Sequence, residues 1–195
     1  MGLFAKVFSL SVLALALFAG SAQARTVKGC NIKANASCVG KNLGGQNLRG
    51  ANLSGANLQR VNLSKADLRG ANLKGADLTR ANLTSTNMNS ANLIYAYLPR
   101  ANLTGANMTG ATLTAANLYR ARLAGAKLYR ATLPFANLSG ANLTSANLSS
   151  ANLSYSNLSY ANLPKVNLTG ATLTGATGCS TVTPTGTLDD KDCTN

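Results

Sequence analysis

The chain has 195 residues with no Trp and no His, and its 18 Lys and Arg against five acidic residues give a formal net charge of +13. That length suits one domain, and the lack of His excludes any histidine-based triad or relay. The charge excludes an acidic surface and favours anionic partners such as acidic polymer, acidic lipid or nucleic acid.

Residues 1–24 read as a signal peptide. Met1 to Lys6 form a weakly positive start, Val7 to Ala19 an apolar stretch, and Ala22-Gln23-Ala24 a small-x-small cleavage signature. The apolar stretch is short for a membrane span, which takes roughly 20 residues; an uncleaved anchor is the alternative. No Cys stands at the cut, which disfavours a lipoprotein. The expected mature protein runs from Arg25 to Asn195, carries +12, and is secreted or periplasmic with no transmembrane segment.

Four cysteines follow that predicted leader. Cys30 and Cys38 precede a repetitive block and Cys179 and Cys193 follow it. An even number in an exported chain points to disulfides. The local pairs Cys30–Cys38 and Cys179–Cys193 are favoured over cross-pairs, because the block between them holds the two clusters apart. A metal site is the competing reading, but there is no His and no CxxC spacing.

Between those clusters, from Leu43 to Leu173, every fifth residue is Leu or Met, 27 in succession, with Met only at Met88 and Met108. Two positions before, Ala stands in 21 cases, and one position before, Asn stands in 19. A period of five fits neither a helix (3.6) nor a strand (2). The Asn, Ser, Thr and Gly content favours turns. Each pentapeptide is therefore expected to give one short extended step and one corner, with Leu and Ala facing inward.

The runs Ala51-Asn52-Leu53-Ser54-Gly55 and Ala101-Asn102-Leu103-Thr104-Gly105 resemble the pentapeptide-repeat family. The resemblance covers about Lys41 to Gly175. It implies an all-β fold, a right-handed quadrilateral β-helix with four pentapeptides per coil and the Leu at the centre of each side. The 27 repeats then make about 6.75 coils, roughly 32 Å at about 4.8 Å per coil. Arg60, Arg80, Arg100 and Arg120 recur at intervals of 20, as a 20-residue coil would have it. The expected organisation is a signal peptide (1–24), an N-terminal cap (25–40), a solenoid (41–177) and a C-terminal Cys-bearing cap (178–195). The caps are assigned to closing coil ends that otherwise expose apolar residues and unpaired edges.

The search for chemistry finds no catalytic constellation and no cofactor or metal site. The two acids of the repeats, Asp67 and Asp77, are ten residues apart, on opposite sides of a four-sided coil, and no Ser or Thr has an activating base nearby. A non-enzymatic protein is expected. The Asn-Leu-Ser and Asn-Leu-Thr triplets match a glycosylation pattern but are by-products of the repeat, and no unbroken Thr ladder exists for ice binding.

The basic surface remains as a candidate. Between Lys41 and Gly175 there are 13 basic residues against two acidic ones. The column Arg60, Arg80, Arg100, Arg120 is the first candidate site for an anion or partner, and Arg122, Lys127 and Arg130 form a second group. Tyr95, Phe135 and Tyr155 share another repeat position, and Tyr119, Tyr129 and Tyr160 add to the exposed aromatics. Aromatic rings beside basic groups suit sugar or nucleic-acid binding.

The expected function is that of an interaction scaffold whose basic face meets an anionic envelope polymer or an acidic protein. Nucleic acid is the less favoured partner for an exported chain. The alternative implied by the resemblance is regulation of DNA gyrase by DNA mimicry. The basic charge, the leader and the lack of an apolar C-terminal helix oppose it. Partner, biological process and oligomeric state are not legible in the sequence.

Overall fold

A computed structural model describes residues 25–178 and the strand backbone at 182–183 and 186–187. The predicted signal peptide and the Cys179–Cys193 pair lie outside the described residues.

The repeats wind into a right-handed quadrilateral β-helix. Each residue before a column Leu pairs in parallel with the residue 20 positions on, in an unbroken series from Ser37↔Asn57 to Asn157↔Thr177. One coil is therefore 20 residues and four sides. A typical side is bonded to the side above it in both directions. Leu53 N–H donates to the Asn72 carbonyl at 2.7 Å, Asn72 N–H to the Ala51 carbonyl at 2.9 Å, and Gly55 N–H to the Lys74 carbonyl at 2.8 Å. Period five thus converts into structure because the backbone groups of each side are satisfied by the coils above and below.

Corners are built the same way throughout. Ala56 N–H closes onto the Leu53 carbonyl at 3.1 Å, and only the second central residue of the turn has positive φ, the pattern of a type II turn. The Asn preceding Leu reaches forward to hold this turn. Asn52 Oδ1 accepts from Ser54 N–H at 3.2 Å and from Ser54 Oγ at 2.8 Å, and Asn142 Oδ1 does the same for Thr144. Asn is common there because its side chain completes an Asx-type bond two residues on. Some of these amides also bond along the stack, as Asn62 does to Asn42 at 3.0 Å.

Inside, the Leu and Met column is 1 % exposed or less from Leu43 to Leu153, and the flanking Ala residues of the central coils are equally buried. Burying one such Leu contributes roughly 1.5–3 kcal/mol. Two Ala places hold hydroxyls instead. Thr86 Oγ1 donates to the Leu63 carbonyl at 2.7 Å, whereas Ser156 Oγ is buried without a partner. A buried unpaired hydroxyl costs about 1–3 kcal/mol. Ser156→Ala should therefore stabilise the protein by about 1 kcal/mol in urea denaturation; a loss of stability would contradict this account.

At the N-terminal end, strand β1 (Arg25–Val27) pairs antiparallel with β2 (Cys30–Ile32). The predicted Cys30–Cys38 disulfide is present, with Cα atoms 5.2 Å apart. Cys38 occupies a column-Leu place and is fully buried. The solenoid ladder therefore starts at Ser37, within the segment expected to be a cap. A disulfide sulfur is apolar enough to extend the column. The bond ties the β1–β2 hairpin to the first coil, and closing this loop of 8 residues limits the unfolded chain by about 2.5 kcal/mol. Arg25 also donates from its guanidinium to the Asn47 carbonyl. Beyond the last coil, β3 (Val182–Thr183) and β4 (Gly186–Thr187) form a second antiparallel pair.

Candidate anion-binding face

Numbering the sides from Leu43, the fourth side carries Leu58, Leu78, Leu98, Leu118, Leu138 and Leu158. Its two edges differ in chemistry. The edge where it turns into the next coil holds Arg60, Arg80, Arg100 and Arg120, followed by Gly140 and Tyr160. The edge where the chain enters it holds Tyr95, Ala115, Phe135 and Tyr155. The predicted Arg column and the predicted aromatic column thus border the same side.

All four Arg residues sit at positive φ, between 53° and 58°. That conformation costs an L-residue roughly 1–2 kcal/mol, and Gly takes it freely. The first two sides' corners mix Gly with Ser, Lys and Arg, but this edge holds Arg on four consecutive coils. Adjacent backbones are locked: Arg80 N–H donates to Pro99 and Arg100 N–H to Tyr119, at 3.0 and 2.9 Å. The backbones of the four Arg residues therefore stack at about one strand spacing, about 4.8 Å. Among the described residues the one ion pair is Arg69–Asp67, so none of their carboxylates pairs with this edge.

Along the Arg edge of this side lies an open trough. Its N-terminal part, about 330 Å³, is lined by Thr79, Arg80, Tyr97, Pro99, Arg100 and Tyr119 among others. A second depression of about 400 Å³ continues it past Tyr119 and Arg120 to Ser139 and Tyr160. The Arg120 guanidinium lies over the Tyr119 ring, 5.1 Å from its centroid, within cation–π range. A Cβ at Gly140 would stand 3.1 Å from Arg120 Cγ, so glycine there gives Arg120 room to lie along the next coil. On the far edge, the Phe135 and Tyr155 rings stack at 5.2 Å and 7°. Of the seven aromatic residues from residue 25 on, only Tyr129 stands away from this side and its edges.

Tyr97, 47 % exposed, was not singled out by sequence reasoning. Its signal is a broken column, since it stands where Asn is the rule. The second predicted basic group is not brought together. Arg122 pairs with Asn102 and Asn142 on the first side, and Lys127 with Asn107 and Asn147 on the second. Arg130 stands at the next corner with its guanidinium 5.0 Å from the Tyr129 ring. Five residues turn the chain through one side, so neighbours in sequence face different directions.

The two acids lie on opposite sides, paired with Asn47 and Asn87 for Asp67 and with Asn57 and Tyr97 for Asp77. Asp77 is on the fourth side. Burial pushes its carboxyl up, but bonds from the Thr79 side chain (2.5 Å), the Thr79 backbone and Gln59 (2.6 Å) outweigh this and hold it below the ordinary value. It is therefore ionised at neutral pH and leaves one negative charge on this side. Asp67 is lowered to about 2 from 3.8, chiefly by the side-chain bond from Arg69. A depressed carboxyl contributes stability above its unfolded pKa, lost as pH falls through about 2. Arg69→Gln should return the Asp67 titration, followed by NMR, towards 3.8; an unchanged midpoint would show that Arg69 is not the cause.

Among the described residues no helix is long and apolar enough to cross a membrane. The family profile described as pentapeptide repeats matches with eight copies, over 34–64, 62–94, 86–125, 106–144 and 146–177. No curated protein matches the chain. Among solved structures the chain is similar to HetL, a pentapeptide repeat protein involved in heterocyst differentiation regulation from the cyanobacterium Nostoc sp. strain PCC 7120, at 36% identity over 80% of this chain and 82% of that one, with a TM-score of 0.40. It is also similar to a pentapeptide repeat protein, Rfr23, from the cyanobacterium Cyanothece, at 27% identity over 72% and 89% of the two chains, TM-score 0.31. A trypsin-treated form of QnrB1, a plasmid-mediated fluoroquinolone resistance protein, matches at 20% identity over 72% and 80%, TM-score 0.46.

Proposed function

The chain belongs to the pentapeptide-repeat family, and on that footing we propose that it is a non-enzymatic interaction rod of the cell envelope or exterior, offering its Arg60–Arg120 edge to an anionic partner. The observation that carries this reading is the edge itself. Four Arg residues stand on consecutive coils, each in a backbone conformation that favours Gly, and none has a carboxylate partner among the described residues. Like charges one coil apart repel modestly in water, by about 1 kcal/mol, and an anionic partner relieves that repulsion. Arg supplies forked donors to carboxylate or phosphate. The two acids of the repeats face opposite sides, which supports a binding role over carboxylate-pair catalysis.

The test uses oxidised protein beginning at Arg25 and an Arg60/Arg80/Arg100/Arg120→Gln variant. Retention of an anionic envelope-polymer fraction should weaken with salt and fall at least about tenfold in the variant, while the melting curve stays close to that of the parent. Equal retention by both proteins would remove the edge from the function. A DNA supercoiling assay addresses gyrase regulation, where no effect is expected.

A further inference from the structure

We propose that the partner of this face is a linear polyuronate, an acidic polysaccharide chain that lies in the trough of the fourth side parallel to the rod axis; this rests on the reading of the Arg edge as an anion site. Three features select it.

The first is pitch. Successive Arg residues along the edge are rooted one coil, about 4.8 Å, apart. One strand of a nucleic-acid duplex advances about 3.4 Å per phosphate. An extended acidic peptide sets same-side carboxylates about 6.7 Å apart. Neither keeps a charge opposite each coil. In a 1,4-linked uronate chain the repeat is the length of one pyranose ring, close to one coil step. Whether successive rings face the same way or turn over, carboxylates on one face recur at about one or two coil steps.

The second is the lining. A sugar ring has an apolar face and a polar rim. The trough offers rings at Tyr97 and Tyr119 and the pyrrolidine of Pro99 to the first, and Thr79, Ser139 and Asn157 to the second. Aromatic side chains with one apolar and one polar end suit such a ligand. The third is shape. The two depressions share Tyr119 and run on from one another, so the site is long and open, as a polymer requires, and does not enclose a small molecule. Asp77 keeps its negative charge on this side, where Gln59 and Thr79 bond its oxygens, and the four Arg residues of the edge outnumber it.

A variant separates geometry from mere charge. Each pentapeptide is one side, so removing residues 86–90, none of them charged, turns everything that follows through one side. Arg60 and Arg80 then stay on their edge while Arg100 and Arg120 move to the neighbouring corner, and the net charge is unchanged. Binding of polygalacturonate, its methyl ester, polyglutamate and duplex DNA is measured by calorimetry with the oxidised protein from Arg25. The expected result is tightest binding to polygalacturonate, with affinity climbing with chain length until the four-Arg edge is filled. The ester and the variant lacking 86–90 should each bind at least about tenfold more weakly. Circular dichroism verifies the variant's fold, and Arg80→Gln with Arg100→Gln gives the same reading by substitution. Binding of polyglutamate or DNA as tight as that of polygalacturonate, or undiminished binding by the rotated variant, overturns the polyuronate assignment and leaves the anion-binding edge standing. No binding to any of the polyanions overturns both.

Discussion

Leu83→Asp should leave the protein largely unfolded at neutral pH and 25 °C. Leu83 is fully buried, in the middle of the first side's column, with Leu63 and Leu103 one coil below and above. Its loss removes roughly 1.5–3 kcal/mol of burial. The incoming carboxyl must then be neutralised. Lifting its pKa by about three units to stay protonated at pH 7 costs about 4 kcal/mol, and the buried acid still lacks a partner. The sum is comparable with the whole stability of an ordinary domain, about 5–15 kcal/mol. Coils are stable only against their neighbours, so the damage reaches both halves of the rod. The sign of the pH effect follows. A carboxyl whose folded pKa is raised contributes its stability below its unfolded pKa and loses it as pH rises, so the variant should be more stable at pH 4 than at pH 7. Leu173→Asp serves as the control, since Leu173 is only half-buried against the last coil and its loss should do no more than fray that end. Thermal melts by circular dichroism read both; a Leu83→Asp melt at the parent temperature would refute the inward register.

That register was legible in the sequence because it needs only one fact per repeat, and the repeats are nearly identical. The Leu column, the burial of the small residue two positions earlier and the local Cys30–Cys38 bridge all follow from spacing. Four sides did not follow from period five alone. They rested on the family resemblance and the 20-residue Arg interval, and the ladder of pairs 20 residues apart supplies them directly. The start of the solenoid was hidden because Cys38 stands in a Leu place, and a search for Leu or Met steps over it. The role of Asn was hidden too. Its reason is a bond to the backbone two residues on, which no hydrophobic pattern encodes.

For the candidate site, intervals of 20 gave each column, and what they withheld was which columns share a side. Positions 95 and 100 border one side because the corner residue of one repeat and that of the next enclose the extended step between them. Seen that way, Tyr97 and Pro99 fall between the aromatic and basic edges. Arg122 and Lys127 show the converse: they are close in sequence and on different sides. In a solenoid, closeness along the chain within a coil means a change of direction, and separation by a full coil means contact.

The same geometry makes a deletion of one residue far more harmful than a deletion of five. Ser90 is a corner residue at φ 55°, and its N–H donates to the Thr109 carbonyl at 3.0 Å. Without it, the chain between the Met88 and Leu93 places is one residue short, about 3.3 Å of extended backbone. Either the side pulls in and breaks its bonds to both adjacent coils, or the register slips and turns inward residues outward. Both routes expose the column next to fully buried Met88 and Leu93. A loss of at least about 3 kcal/mol is expected, from one buried apolar side chain and the unpaired backbone around it. Removing 86–90 instead deletes a complete side with its corner, and Leu93 inherits the place of Met88. Every remaining coil keeps four sides, and the cost is confined to one Met burial and the Thr86–Leu63 bond. Part of that cost is offset by relief of the strained corner. The five-residue deletion should therefore melt within a few degrees of the parent, at about 2–4 °C per kcal/mol for a chain of this size, while the one-residue deletion should melt far lower and be cleaved by protease in its middle coils. Equal melting temperatures for the two would mean that the chain tolerates a missing corner, and the strict one-side-per-pentapeptide geometry, with the rotated variant that depends on it, would fall.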